Sequence, residues 1–320
     1  MNEFELIRRY FAEAEAAEQT VLGIGDDAAI VRPSPGCDLH VSVDTLVSGR
    51  HFFADVDPAA LGHKTLAVNL SDMAAMGARP RWALLALTLP HVDADWLKAF
   101  ADGLFALART HGVALIGGDT TRGPLTLSIT VMGETARGAA LCRHTARPGD
   151  DVWVSGQLGL AALALRHLQP DSPALPTDVL TQCRQQLERP QPRVALGQAL
   201  LPLAHACIDV SDGLLADLGH ILQRSQLGAE LWLDALPTHP WLAERRAQMV
   251  ELLVAGGDDY ELCFTAPVAA RDAITALSNI CPVTRIGRTT NEAGPADLLD
   301  AAGNKIQVGR SGFDHFQNQA

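Results

Sequence analysis

A mixed α/β fold in two domains is what the sequence predicts, on three observations. The chain has 320 residues, more than one hydrophobic core usually organises and comfortable for two. Helix-period and strand-like segments alternate irregularly along it. Turn chemistry gathers at Arg147-Pro148-Gly149-Asp150, after which a strand pattern restarts. The expected domains are therefore 1–146 and 147–320.

Phe4, Ile7, Tyr10, Phe11 and Ala14 recur at helical spacing and predict an opening amphipathic helix over 3–18. Val21–Ile24 reads as a short strand ending at Gly25, and Leu39–Val43 as a second. Asp57 then Pro58 is a helix start, a capping side chain before a proline at the first helical position. That helix runs to about Met76 and stops at Gly77; Asp93–His111 is another, closed by Gly112. Val113–Ile116 and Leu125–Met132 read as strands. Further on, Asp151–Val154, Ala229–Leu233 and Leu252–Ala255 read as strands, and Asp212–Arg224 as a helix. The three prolines of 170–177 make a loop.

Composition excludes several functions. With 48% hydrophobic and 19% charged residues, the chain can fill a core and is not a disordered one. A formal net charge of −12 offers no basic face for DNA, RNA or an anionic membrane. Such an acidic chain accommodates phosphate ligands only where cations stand between. Six scattered cysteines without a C-x-x-C pair argue against a disulfide scaffold or a structural zinc site. They fit reduced thiols in the cytosol. Residues 1–10 lack the apolar core of a signal peptide, and no apolar run is long enough to span a bilayer. A soluble, cytoplasmic protein is expected.

One pattern recurs five times: an apolar stretch leads into small residues and then aspartate. It appears as Gly23-Ile24-Gly25-Asp26-Asp27, Val41-Ser42-Val43-Asp44-Thr45 and Ile116-Gly117-Gly118-Asp119-Thr120. It returns as Ile208-Asp209-Val210-Ser211-Asp212-Gly213 and Ala255-Gly256-Gly257-Asp258-Asp259-Tyr260. Aspartate is depleted in strands, so these residues are expected where strands end. A single one serves equally well as a helix cap or in an Asx-turn. Five together suggest convergence, and each close carboxylate pair would then repel by roughly 4 kcal/mol at an effective dielectric near 20. Such a cluster needs cations. Oxygen-only donors indicate Mg²⁺ rather than zinc, and Mg²⁺ favours sites shared with substrate phosphates. The chemistry this implies is phosphoryl transfer from a metal-bridged nucleotide.

Asp72 adds to this. It sits three residues after Asn69, on the same face of a helix that is apolar nearly all round. A charge there requires a metal or a partner such as Arg79 or Arg81. No G-x-x-x-x-G-K-[ST] loop is present; Gly62-His63-Lys64-Thr65 only echoes its end. Gly23-x-Gly25-x-x-Ala28 has the form of a dinucleotide fingerprint, but Pro33 and Pro35 interrupt the helix it requires.

These motifs, as a set, resemble the bacterial thiamine-monophosphate kinase family. The resemblance rests on GIGDDAA, VSVDT with Gly49-Arg50-His51-Phe52, LAVNLSDMAAMGA, LIGGDTTRGPL, IDVSDGLLADLGHI, GGDDYELCF and the closing Gly312-Phe313-Asp314-His315-Phe316. It runs from about residue 4 to 316, in the right order. It implies the aminoimidazole ribonucleotide synthetase-like fold: an N-terminal sheet that completes a barrel across a homodimer, and a C-terminal α/β domain that completes an aspartate-lined cleft for ATP. The implied reaction is direct transfer from ATP to thiamine monophosphate, with several Mg²⁺ ions and no phosphoenzyme.

By the family pattern Asp27, Ser42, Val43, Asp44, Asp72, Asp119, Asp209 and Asp212 match metal-ligand positions. Gly118, Asp119, Arg143 and Ser211 match ATP contacts, and His51, Asp258 and Phe313 match substrate contacts. Asp44, Asp72 and Asp119 are the positions whose loss should hurt catalysis most. Lys64 and Arg122 are further candidates for phosphate charge. Two positions depart from the pattern: threonine is usual where Val43 stands, and glutamate where Asp258 stands. Val43 can therefore act only through its carbonyl. Two alternatives stay open, another ATP-dependent enzyme of the superfamily and a non-catalytic nucleotide or metal sensor. Within the superfamily, Cys37 lies in a Pro/Gly turn unsuited to selenophosphate synthesis, and the closing Phe-Gln-Asn-Gln-Ala lacks the cysteine of the hydrogenase-maturation enzymes.

Overall fold

The computed structural model describes residues 3–12, 19–168, 172 and 174–313. Two compact units divide the chain, Met1–Met73 with Ala78–Ala140 and Ala74–Gly77 with Leu141–Ala320.

The first unit opens with α1 (Glu3–Tyr10) and an antiparallel pair, β1 (Thr20–Leu22) with β2 (Ile30–Val31). There follow β3 (Cys37–Val47), α2 (Pro58–Ala75), β4 (Arg79–Leu89), α3 (Ala94–His111), β5 (Ala114–Arg122) and β6 (Thr126–Ala136). The sheet has the order β3-β6-β4-β5, parallel only between β4 and β5. A parallel pair needs a crossover, and α3 supplies it. Helix boundaries follow the predicted signals. Asp57 Oδ1 accepts the Ala60 N–H at 2.8 Å, Asp93 caps α3, and Gly112 closes α3 in the left-handed conformation. Residues Leu66–Leu70 are buried right round α2, as its unbroken apolar sequence requires. α2 and α3 approach backbone to backbone. A Cβ on Gly62 would lie 2.0 Å from the Phe100 carbonyl oxygen, and one on Gly103 would lie 1.9 Å from that of Ala59.

The opening helix ends at Tyr10 rather than 18, and 13–18, with Ala14, lie outside the described residues. β4 was not expected. Its run Trp82-Ala83-Leu84-Leu85-Ala86-Leu87 is apolar without alternation, and successive residues, which point to opposite faces, are covered on both: Trp82, Ala83 and Leu85 are buried and Leu84 half-buried.

The second unit contains β7 (Asp151–Ser155), α4 (Leu160–His167), α5 (Thr177–Glu188), α6 (Val194–Leu200), β8 (Ala206–Val210), α7 (Leu214–Ser225) and β9 (Gly228–Trp232). It continues with α8 (Pro240–Ala243), α9 (Val250–Val254), β10 (Glu261–Ala266), α10 (Arg271–Ala276), β11 (Val283–Thr290) and β12 (Ala296–Leu299). Six strands form one sheet in the order β12-β9-β11-β7-β10-β8, parallel only between β12 and β9. Here one expectation fails. Leu252–Ala255 is not a strand but the end of α9, where the Ala255 N–H bonds the Glu251 carbonyl at 2.9 Å. Four apolar residues fit a buried strand or a buried helical turn equally. Of the expected loop 170–177, residues 170, 171 and 173 lie outside the described residues, 172 and 174–176 are irregular, and Thr177 begins α5. No helix among the described residues is long and apolar enough to cross a membrane.

Candidate active site

In the first unit a polar seam runs between β3 and α2. The Ser42 hydroxyl donates to Asp72 Oδ2 at 2.5 Å, and the Asp44 N–H donates to Asn69 Oδ1 at 3.1 Å. Asn69 is itself held by Nδ2 donating to the Thr65 carbonyl at 3.1 Å. Further along, Lys64 Nζ donates to the His51 carbonyl at 3.3 Å, although Lys64 is only 3% exposed. His51 Nδ1 accepts the Val47 N–H at 3.0 Å, so a neutral ring carries its proton on Nε2. The pairs Ser42–Asp72, Asp44–Asn69 and His51–Lys64 run antiparallel, carboxylates at one end and cation at the other. Because side chains alternate along a strand, His40, Ser42, Asp44 and Leu46 share the less exposed face of β3. Val43 points the opposite way and is exposed, which removes its side chain from the seam.

A cavity of about 1050 Å³ opens on that opposite face, lined by the loop Gly23–Ala29 and by residues of β4, β5 and β6. It gathers Asp27, Gly118 and Asp119. The loop is carried by the β1–β2 pair, which Trp82 anchors by donating from Nε1 to Thr20 Oγ1 at 3.1 Å. Ser128 borders the cavity and its hydroxyl donates to the Asp44 carbonyl at 3.2 Å. Asp44 and Asp119 themselves lie on opposite edges of the sheet. Asp44 pairs with Ile129, Ile129 with Leu85, and Leu85 with Gly118. Three strand spacings separate β3 from β5, about 14 Å.

The second unit assembles its candidates through main-chain bonds. The Ser211 carbonyl accepts the Asp258 N–H at 2.8 Å, and the Asp212 carbonyl accepts the Phe313 N–H at 2.9 Å. Asp258 holds φ 61 and Tyr260 φ 50, left-handed values that are uncommon outside glycine. The Tyr260 hydroxyl donates to Asp258 Oδ1 at 3.1 Å and orients it. Arg143 is exposed, its carbonyl tied to Ser225 Oγ at 3.0 Å. Asp209 is 4% exposed, within β8.

Asp217 and Asp259, both in this unit, are raised above the ordinary carboxylate range. Burial, together with the neighbouring charge of Asp212, pushes Asp217 up to about 7, although three backbone N–H groups pull it down. Burial also holds Asp259 well above its usual value, against a bond from the Gly159 N–H.

Three aspartates expected at strand ends instead lie within strands: Asp44 in β3, Asp119 in β5 and Asp209 in β8. All three strands are sheet edges, where one side is unpaired and a charge is tolerated. Among the described residues no group of three or more His, Cys, Asp or Glu forms a ready-made metal cage. The carboxylates of the first unit stand instead at the seam and in the cavity. Arg81, one suggested partner of Asp72, is ion-paired with Glu134 at 3.3 Å.

Two family models cover most of the sequence: AIR synthase related protein, N-terminal domain, over residues 25–135, and its C-terminal domain over 147–297. Thiamine-monophosphate kinase of Haemophilus influenzae is 42% identical over 99% of this chain and 98% of its own length. That of Escherichia coli strain K12 is 44% identical over 98% of each. The chain belongs to the thiamine-monophosphate kinase family. Among solved structures, a thiamine-monophosphate kinase from Stenotrophomonas maltophilia superposes with TM-score 0.81 at 50% identity, covering 90% of this chain and 93% of that one. A structure described as AaThiL complexed with AMPPCP and TMP has TM-score 0.77 at 30% identity, covering 89% of both.

Within this family member, sequence reasoning passed over Asp217 and Tyr260. Asp217 had a legible signal, an acid in the first turn of a helix that follows Ser-Asp-Gly. Tyr260 had none, since its role depends on a backbone conformation.

Proposed function

We propose that this protein transfers the γ-phosphate of ATP to thiamine monophosphate, producing thiamine diphosphate and ADP as the closing step of thiamine diphosphate synthesis. The full-length match to thiamine-monophosphate kinases carries this reading. The AaThiL complex with AMPPCP, a nucleoside triphosphate analogue, and TMP supports it.

Mg²⁺ fits the residues present. The candidate ligand residues at the seam and in the cavity, Asp27, Ser42, Asp44, Asp72 and Asp119, offer side-chain oxygens alone, and few carboxylates meet at one place. That suits an ion that keeps water ligands and shares substrate phosphates. Asp27, Ser42, Asp44, Asp72, Asp119 and the Val43 carbonyl would hold it in the first unit, Asp209 and Asp212 in the second. When bound, Mg²⁺ neutralises phosphate oxygens that otherwise repel each other.

Gly118, Asp119, Arg143 and Ser211 are assigned to the nucleotide. Arg143 offers a planar fork matched to phosphate oxygens. His51, Asp258 and Phe313 are assigned to the acceptor. His51 presents an Nε2–H donor to its phosphate, Asp258 complements the thiazolium charge, and Phe313 offers a ring face for stacking. No strong general base is needed, because an acceptor phosphate is already anionic near neutrality.

Two further assignments belong to this reading. Leu39, Val41, Val43 and Val47 form an exposed apolar row on β3, which suits burial against a second copy in a homodimer. Six free cysteines suit the reducing cytoplasm.

The test is incubation of purified protein with ATP, MgCl₂ and thiamine monophosphate, following products by chromatography, with thiamine and EDTA controls. Equal amounts of thiamine diphosphate and ADP, abolished by EDTA, are expected. ADP without thiamine diphosphate would move the assignment to another acceptor and withdraw His51, Asp258 and Phe313 first.

A further inference from the structure

Asp217 lies in the first turn of α7, 3% exposed, and has no part in the reaction described above. Its Oδ2 accepts three backbone N–H groups, from Ser211, Asp212 and Gly213, each at 3.0 Å. Helix starts usually borrow a cap from the preceding residue. Here that residue is Gly213, at φ 123, which has no side chain to offer. The carboxylate reaches back instead and gathers three consecutive donors on one oxygen.

The consequence extends beyond the helix. With their N–H groups drawn inward, Ser211 and Asp212 use their carbonyls to hold Asp258 and Phe313 at 2.8 and 2.9 Å. The fit around this loop is close. A Cβ on Gly257 would meet the Ser211 carbonyl oxygen at 2.8 Å, and one on Gly312 would meet that of Asp212 at 2.9 Å. Three segments distant in sequence, 211–213, 257–260 and 312–313, are thus tied to one set of peptide planes.

We propose that Asp217 is a positioning residue for the phosphoryl transfer, fixing the peptides of 211–213 and, through their carbonyls, Asp258 and Phe313. The inference rests on the function proposed above. What matters is an acceptor oxygen at a fixed place, not the negative charge. Asn keeps that oxygen and removes the charge; Glu keeps the charge and moves the oxygen by a methylene.

The experiment measures kcat and KM for ATP and for thiamine monophosphate in wild type, Asp217→Asn and Asp217→Glu at saturating Mg²⁺, with thermal melting alongside. Asp217→Asn should retain kcat/KM within about threefold. Asp217→Glu should lose about 100-fold while still folding, the scale expected of a displacement near 1 Å, with both KM values raised. Equal kinetics in wild type and Asp217→Glu would overturn the proposal. So would an inactive Asp217→Asn beside an active Asp217→Glu, or a fall in melting temperature without a change in KM. Wild-type protein that makes no thiamine diphosphate would instead refute the underlying function.

Discussion

Gly118 has two candidate reasons to be glycine, and Gly118→Ala separates them. The residue lines the cavity and is one of those proposed to contact nucleotide, but it also lies against β4. A Cβ there would sit 1.9 Å from the Leu85 carbonyl oxygen and 2.7 Å from its carbon, where ordinary contact begins at 3.4 Å. The backbone φ of 154 adds to the difficulty. To clear the contact, β4 and β5 must separate by about 1.5 Å, more than a close-packed interior absorbs. Leu85 is paired on its other side with Ile129 of β6 and cannot simply retreat. Overpacking of this kind costs about 3 kcal/mol, the upper part of the usual range, because a backbone rather than a side chain must move. In a chain of 320 residues that corresponds to a fall in melting temperature of roughly 4–5 °C. The assay is thermal unfolding without ligand, beside nucleotide affinity by calorimetry. An alanine variant that melts like wild type would refute the packing argument. If it also lost nucleotide affinity, ligand approach would be the reason for the glycine.

Two other substitutions test particular contacts. Burial, aided by the charges of Glu261, Asp258 and Asp217, raises the Asp259 carboxyl well above 3.8. The folded state therefore binds this proton more tightly than the unfolded state, and stability is lost as pH climbs from the ordinary carboxylate value through the raised one. Asp259→Asn mimics the neutral form and still accepts the Gly159 N–H, so urea denaturation should show it gaining on wild type between pH 5 and pH 8. A constant difference across that range would contradict the cause given. Ser42→Ala removes the hydroxyl that donates to Asp72 at 2.5 Å, and should cost about 1.5 kcal/mol, the lower end for a bond to a charged group. The Mg²⁺ concentration for half-maximal turnover should rise with it. Unchanged melting and unchanged Mg²⁺ dependence would remove Ser42 from the seam's working parts.

Local signals made the helices legible. Asp57-Pro58, Asp93 and Gly112 place helix ends by capping chemistry that needs no tertiary knowledge. β4 and α9 were not legible, because a strand covered on both faces and a buried helical turn both present unbroken apolar residues. The aspartates were recognisable as a set, but their place within strands was not. What permits it is the edge position of β3, β5 and β8, a property of the whole sheet. Asn69 and Asp72 could be put on one helix face by spacing, and both do meet β3. The ties from Ser211 to Asp258 and from Asp212 to Phe313 are main-chain bonds between distant segments. No choice of residue type records them.

On the proposed function, carboxylates such as Asp44 hold Mg²⁺ for transfer between ATP and thiamine monophosphate. The most direct measurement is turnover of wild type and Asp44→Asn as free Mg²⁺ is titrated through the limiting range, with circular dichroism to verify the fold. A folded variant that loses most turnover at limiting Mg²⁺ is the predicted result. Wild-type turnover by Asp44→Asn at limiting Mg²⁺ would contradict it.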